Sequence, residues 1–233
     1  MELETPQLLQ PSYYLVSYTR PVEELVGEKG IATPLDLIAY CARVSNPTNQ
    51  CNTATAAGLL RYLIRNKHWS PLEMVDVTFG LTTARDISRQ QIRHRSMSFQ
   101  EFSQRYAEVD DNRHCLREAR MEDPTNRQNS LRCTDQALQD EWLLAQMEVL
   151  ELVRRKYNWA RSKGIAKECA RVLLPEGLTL TDVFVKGSLR SWIHYLETRG
   201  PGSGTQREHM DITLGLAKAI TRVFPANLLE TPA

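Results

Sequence analysis

Hydrophobic positions along the chain switch repeatedly between a period of two and a period near 3.6. Residues 12–19, SYYLVSYT, are aromatic and β-branched and stop before Arg20-Pro21, which predicts an early strand. A polar loop is expected next. Thr33-Pro34 then sets a capping hydroxyl before a proline suited to a first helical turn, and Leu35, Ile38, Ala39 and Ala42 carry a helix to about residue 44. Asn46-Pro47 breaks it. A second helix is predicted over 53–67, with Leu59, Leu60, Leu63 and Ile64 on one side and Arg61 and Arg65 on the other. Ser70-Pro71-Leu72-Glu73 has the form of a capping box, but Val75, Val77, Phe79 and Leu81 alternate, so one helical turn gives way to a strand.

Helical spacing returns over 84–94. Residues 95–105 show no clear period, and the charge-rich stretch 107–132 is expected to be a surface excursion. Over 135–163, Leu138, Trp142, Ala145, Val149, Leu152, Tyr157 and Ala160 recur with helical spacing, giving a helix about 40 Å long that Gly164 ends. A short helix over 165–173 runs into Pro175, residues 178–185 alternate like a strand, and 188–198 are helical again. Gly200-Pro201-Gly202-Ser203-Gly204 is the sharpest linker, and a last helix covers 205–224. A few alternating strands among longer helices, without regular βαβ order, predict an α+β chain. The expectation is a single domain over 1–233, with a small, mainly antiparallel sheet and several long helices.

Length and composition allow a packed core without covalent staples: 233 residues, 42% hydrophobic and 24% charged, exclude a disordered tail, a collagen-like fibre and a disulfide miniprotein. With 29 Lys and Arg against 28 Asp and Glu, nothing global draws the chain to nucleic acid or to an anionic membrane. Any anion site must be local. No apolar run approaches the roughly 18 residues of a membrane span. The opening Met-Glu-Leu-Glu-Thr-Pro lacks the basic and apolar regions of a secretion signal. Cys41, Cys51, Cys115, Cys133 and Cys169 form no CxxC and are odd in number, so they read as free, mostly buried thiols. These features point to a cytoplasmic protein with no membrane partner and no metal.

Charge is concentrated locally. Five arginines (Arg85, Arg89, Arg93, Arg95 and Arg105) face only Asp86 and Glu101 between residues 85 and 105, while six acids and three arginines over 107–124 cancel that surplus. On the predicted helix Arg85, Arg89 and Arg93 stand at i, i+4 and i+8, where like charges repel by a few tenths of a kcal/mol per pair unless an anion lies between them. A solvated basic face is the plain reading. Arg93-His94-Arg95 adds something different, because successive helical side chains diverge by about 100° and cannot all serve one group. They are placed to serve two ligands. Arginine's planar fork suits a phosphate or an anionic ring oxygen, and Ser103 with adjacent backbone donors suits a phosphate cradle.

Arg93-His94-Arg95, seven residues and then Ser103 resembles the RHRx7S signature of the flavin-dependent thymidylate synthases, and the likeness extends through Glu101, Arg105 and Tyr106. Further stretches are similar in the same order over about 35–210. They are Ala42-Arg43-Val44-Ser45, His68-Trp69-Ser70-Pro71-Leu72-Glu73, Ala170-Arg171-Val172-Leu173-Leu174-Pro175 and Arg190-Ser191-Trp192-Ile193-His194-Tyr195-Leu196-Glu197-Thr198-Arg199. The resemblance implies that the chain converts dUMP to thymidylate. The one-carbon unit would come from methylenetetrahydrofolate and the reducing equivalents from NADPH through FAD, with no enzymic cysteine nucleophile. It also implies the fold of that family and a homotetramer whose active sites draw residues from several subunits.

By similarity Gln90, Arg93, Glu101, Ser103, Gln104, Arg105, Arg171 and Arg199 would hold dUMP, with Ser103, Arg105 and Arg171 near the phosphate. Arg199 and Ser103 are the expected catalytic residues. Arg199 would contact the uracil ring and favour its N3-ionised form, and since a guanidinium is no base at neutral pH its role must be to stabilise negative charge. FAD contacts carried over in the same way are Ser45, Ser70, Arg93, His94, Arg95, Glu101, Arg190 and His194, while His68 and Glu73 also match family positions. No GxGxxG occurs, so a Rossmann site is not indicated. Two positions depart from the family: Gln100 stands where asparagine is usual, and Gly200-Pro201-Gly202-Ser203-Gly204-Thr205-Gln206 replaces a common Ala-x-x-x-Ala-Gln. Two other readings remain. One is a nucleic-acid-binding module using the arginines with Phe99, Phe102 and Tyr106 interleaved. The other is a flavin-dependent relative that alkylates deoxyuridylate with a different one-carbon unit.

Overall fold

A computed structural model describes residues 7–225, so the acidic opening hexapeptide lies outside the described residues. The first half of the chain forms β1 (Ser12–Tyr18), α1 (Glu23–Lys29), α2 (Pro34–Ala42), α3 (Ala56–Arg65), β2 (Asp76–Ala84), α4 (Arg85–Gln91) and β3 (Ser98–Glu101). The second half forms β4 (Arg120–Glu122), β5 (Ser130–Arg132), α5 (Gln136–Ser162), α6 (Lys167–Ala170), β6 (Leu180–Ser188), α7 (Leu189–Arg199) and α8 (Arg207–Val223). The main sheet runs β1-β2-β6-β3, with every neighbour antiparallel, and β4 and β5 make a separate hairpin.

Alternation decides which face of the sheet is dry. Val77, Phe79 and Leu81 of β2 and Val183 and Val185 of β6 are buried together with Leu60 and Leu63 of α3, Leu189, Trp192 and Ile193 of α7, and Ile212, Leu216 and Ile220 of α8. Each such side chain contributes about 1.5–3 kcal/mol on burial, which outweighs the helix propensities of α7 and α8. Trp192 stands edge-on to Phe79, with centroids 5.2 Å apart, and its Nε1–H donates to the Val77 carbonyl at 3.0 Å. Two tyrosines tie β1 down from either side. A Cβ at Gly80 would collide with the ring of Tyr14, and one at Gly215 with the ring of Tyr13, so a side chain at either position would displace that ring.

Several sequence expectations are corrected by the structure. The loop expected after β1 contains α1, whose residues are all at least partly exposed and so leave no apolar stripe to read. The capping box at Ser70 does not form: residues Ser70–Met74 make a 3₁₀ turn, and Glu73 instead accepts from Arg190 at 2.8 Å. The real capping box is at Thr33, whose Oγ1 accepts from the Asp36 N–H while Asp36 accepts from the Thr33 N–H. The helix expected over 165–173 divides into α6 and a 3₁₀ turn at Arg171–Leu173. The surface excursion at 107–132 buries Val109, His114, Cys115 and Leu116 and carries the hairpin. On α5 the periodic stripe is largely exposed at Leu138, Trp142, Val149 and Leu152, while Gln146, Leu150, Tyr157 and Ala160 are buried. No helix among the described residues is long and apolar enough to cross a membrane.

The acidic stretch does not neutralise the basic one by contact. Arg117 and Arg120 turn instead to Glu208 in the first turn of α8, at 3.2 and 2.7 Å, and Arg117 also reaches Asp86 at 3.1 Å. All three members of this Arg–Glu–Arg group are largely buried. Burial opposes ionisation of Glu208, but hydrogen bonds from Arg120 and the charge of Arg117 hold its carboxyl below the usual range. Removing one partner would strand buried charge, so Glu208→Gln is expected to cost about 3–5 kcal/mol in urea unfolding at pH 7. A loss below about 1 kcal/mol would mean that water can solvate both arginines without the carboxylate.

Candidate active site

The signature is not helical. α4 ends at Gln91, and two consecutive turns follow, closed by His94 N–H to the Gln91 carbonyl and Met97 N–H to the His94 carbonyl, each 3.1 Å. Arg93 and Arg95 therefore lie exposed on either side of the buried His94. This corrects the expected stripe of Arg85, Arg89 and Arg93 on one helix. The anion between the first two is supplied by the protein itself. Arg85 lies 3.8 Å and Arg89 3.4 Å from Glu101, and both approach Glu176, at 3.9 and 3.4 Å. Glu101 also accepts from Ser88 at 2.9 Å and Thr181 at 3.2 Å. Arg85 is 5% exposed, and its Nε and Nη1 have no hydrogen-bond partner among the described residues.

α7 carries Arg199 back to the signature. Its Nε–H donates to His94 Nε2 at 3.0 Å across 105 residues of chain, which leaves His94 protonated on Nδ1. The imidazole packs on Tyr195, with centroids 4.8 Å apart, and lies 6.4 Å from that of His194. Burial first, then the Arg199 and His194 charges, push the His94 pKa down to about 4. A second buried imidazole lies behind the first. His209 meets the Tyr195 hydroxyl at 2.8 Å and Gln90 Oε1 at 3.3 Å, and burial followed by the Arg199 and His94 charges takes it to about 3. Gln90 Nε2 donates onward to Gln206 Oε1 at 2.7 Å.

Four of the remaining candidates line two cavities. Ser103 and Arg105 line a space of about 690 Å³ with Tyr106, Arg161, Lys167 and Glu168, and Arg105 pairs with Glu168 at 3.2 Å. Arg190 and His194 line another of about 310 Å³ with Trp69, Glu73, Ser96 and Glu197. Gln104 is buried, and its Nε2 has no partner among the described residues. Arg171 is half-buried on its 3₁₀ turn, where its charge is felt at Arg85. Ser45 and Ser70 are exposed and line neither cavity. Of the aromatics near the arginines only Tyr106 is well exposed, since Phe99 packs on the core and Phe102 lies under the Arg113 guanidinium at 5.5 Å. Cys115 and Cys133 are buried as expected, with burial pushing Cys115 up to about 12, but Cys51 and Cys169 are exposed and Cys41 is half-buried. Sequence reasoning missed Tyr195, His209 and Gln206 as members of the Arg199 cluster, because each is a single position on a helix or loop with no spacing relation to the signature.

Residues 28–226 match the model of the family described as thymidylate synthase complementing protein. The chain is also 47% identical over 212 residues to a probable flavin-dependent thymidylate synthase of Paramecium bursaria Chlorella virus 1, covering 91% of this chain and 94% of that protein. The chain belongs to the flavin-dependent thymidylate synthase family. A flavin-dependent thymidylate synthase of Synechocystis sp. is similar to the same extent, 46% identical over 210 residues, covering 90% of this chain and 94% of that one. The fold is shared with a UMP/dUMP methylase, PolB from Streptomyces cacaoi, crystallised with 5-Br dUMP. The TM-score is 0.80 at 24% identity, covering 96% and 95% of the two chains. Within the family fold the signature and the Arg199 stretch meet through one hydrogen bond between side chains.

Two imidazoles held neutral beside arginine are expected to make the fold sensitive to acid. His94 and His209 stay unprotonated in the folded chain but protonate near pH 6.5 when it unfolds, so the unfolded state binds more protons as pH falls. Burial holds His114 down in the same sense. Stability is expected to fall between pH 6.5 and 5 by about 1–2 kcal/mol for each of His94 and His209. Urea midpoints measured across that window test this, and His94→Gln should flatten the slope; a slope unchanged by that substitution would show that His94 titrates normally.

Proposed function

We propose that the chain reductively methylates dUMP to dTMP, using methylenetetrahydrofolate as the one-carbon donor and NADPH as the reductant through bound FAD. The observation that carries this reading is the contact of Arg199 with His94, since it joins the two stretches that the resemblance assigns to the pyrimidine and the flavin. With its Nε–H engaged, the guanidinium has its Nη edge left for an acceptor. It cannot act as a base, so it stabilises the charge that develops on the uracil ring as C5 becomes nucleophilic. His94 is neutral and adds no competing positive charge. Ser103 and Arg105, with Arg161 and Lys167 in the same cavity, suit a phosphate dianion, and Gln90, Arg93, Glu101, Gln104 and Arg171 complete the dUMP set. None of the five cysteines lies in either cavity, in keeping with chemistry that needs no thiolate.

The smaller cavity fits part of a dinucleotide. Trp69 offers an aromatic face, Arg190 a cation and His194 an exposed imidazole, while about 310 Å³ is at the low end for a ligand pocket. Ser45, Ser70, Arg93, His94, Arg95, Glu101, Arg190 and His194 would hold FAD, which supplies the redox chemistry when bound. So small a cavity in one chain supports a homotetramer with shared sites. So do the exposed Trp142, Val149, Leu152 and Trp159 of α5. Residues 1–233 then act as one cytoplasmic domain.

Purified protein is expected to show flavin absorbance and to release tritium from [5-³H]dUMP only when NADPH and methylenetetrahydrofolate are both present. A dTMP mass from that reaction excludes transfer of a different one-carbon unit. Arg199→Ala should lower turnover by about a hundredfold or more while retaining FAD, and Ser103→Ala should lower activity with the fold intact. Colourless protein that binds no dUMP would sink the proposal, and a monomeric mass in solution would remove the shared site.

A further inference from the structure

We infer that His209 is a positioning residue for the nucleotide site, holding the side-chain amide of Gln90 in one orientation. The inference rests on the proposed role of Gln90 toward dUMP. His209 is fully buried in the first turns of α8, and both of its ring nitrogens are engaged. The donors run in one direction. Gln91 Nε2 donates to the Tyr195 hydroxyl at 3.4 Å, the hydroxyl donates to His209 Nε2 at 2.8 Å, and His209 Nδ1–H donates to Gln90 Oε1 at 3.3 Å. Gln90 Nε2 then donates to Gln206 Oε1 at 2.7 Å.

Reversing this order requires three amides to flip and the histidine to change tautomer together, so no member can turn alone. An isolated glutamine on α4 would have both amide orientations open to it. Here the carbonyl end faces His209 and one N–H faces Gln206, and the second N–H is the donor left for a ligand. The same chain anchors the far end of the Gly200–Gly204 loop, because Gln206 stands just beyond it and Arg199 just before it. Burial keeps the imidazole neutral, as the acceptor role of Nε2 demands, and pushes Tyr195 up to about 12, so its hydroxyl keeps its proton.

Three variants separate positioning from packing. His209→Leu fills the space without either hydrogen bond, His209→Asn restores a donor near Nδ1, and Tyr195→Phe keeps the ring against His94 but deletes the hydroxyl. The readouts are dUMP affinity by calorimetry on FAD-loaded protein, kcat and KM for dUMP, and melting temperature. His209→Leu is expected to weaken dUMP binding and raise KM roughly tenfold, the effect of losing one or two hydrogen bonds, with kcat within about twofold. Tyr195→Phe should produce a smaller rise, and His209→Asn should recover most of the affinity. The inference is overturned if His209→Leu and Tyr195→Phe bind dUMP as the wild type does, or if binding follows melting temperature alone and Asn gives no recovery. Wild-type protein that binds no dUMP overturns the proposed function and this role together, whereas intact wild-type binding with indifferent variants overturns only the role of His209.

Discussion

The molecule depends on nine consecutive antiparallel pairs between β2 and β6, from Asp76 opposite Ser188 to Ala84 opposite Leu180. α4 follows directly on the end of β2, and α7 directly on the end of β6, so the two helices leave from opposite ends of one ladder. α7 has 11 residues, about 16 Å, in which to run back beneath the sheet, anchored by Trp192 on Phe79 and on the Val77 carbonyl. That return is what brings Arg199 to His94. β3 fixes the other side of the signature by pairing with β6 from Ser98 opposite Lys186 to Glu101 opposite Val183. One hydrogen-bonded ladder therefore sets the position of every residue between Gln90 and Glu101 relative to Arg199.

Charge is arranged by the same economy of contacts. The chain is nearly neutral, yet the buried or half-buried arginines of the two charged stretches are neutralised in local groups: Arg85 and Arg89 by Glu101 and Glu176, Arg117 and Arg120 by Glu208. Arg93, Arg95 and Arg199 are given no carboxylate partner among the described residues, and the imidazole that Arg199 touches is held neutral by burial. Arg105 and Arg190, in the two cavities, are instead paired with Glu168 and Glu73.

The strands that build the core were legible because each buries one face, so Val77, Phe79 and Leu81 alternate in the sequence as they do in space. β3 was not, because Ser98-Phe99-Gln100-Glu101 is a short edge strand in which only Phe99 packs on the core. The seam of α5 was visible, but periodicity says only that a helix has an apolar side, not what covers it; most of that side is open in the single chain. Within the site, Arg93, His94, Arg95 and Ser103 stood out by charge and spacing and again by resemblance, and Arg199 by resemblance alone, yet their partners were beyond reach. Tyr195 and His209 are ordinary residues on two helices, and only the tertiary crossing of α7 and α8 makes them neighbours.

The two tight turns that replace helix at Arg93-His94-Arg95 put two outward guanidiniums on one immobilised imidazole. If nucleotide and flavin take the two sides of this segment, as proposed, any coupling between them is reciprocal. Whatever factor a bound nucleotide applies to the affinity for flavin, bound flavin must return to the nucleotide in equal measure. On that proposal three consecutive residues become a balance point, and the order in which the two ligands arrive cannot alter the free energy of the complex they form.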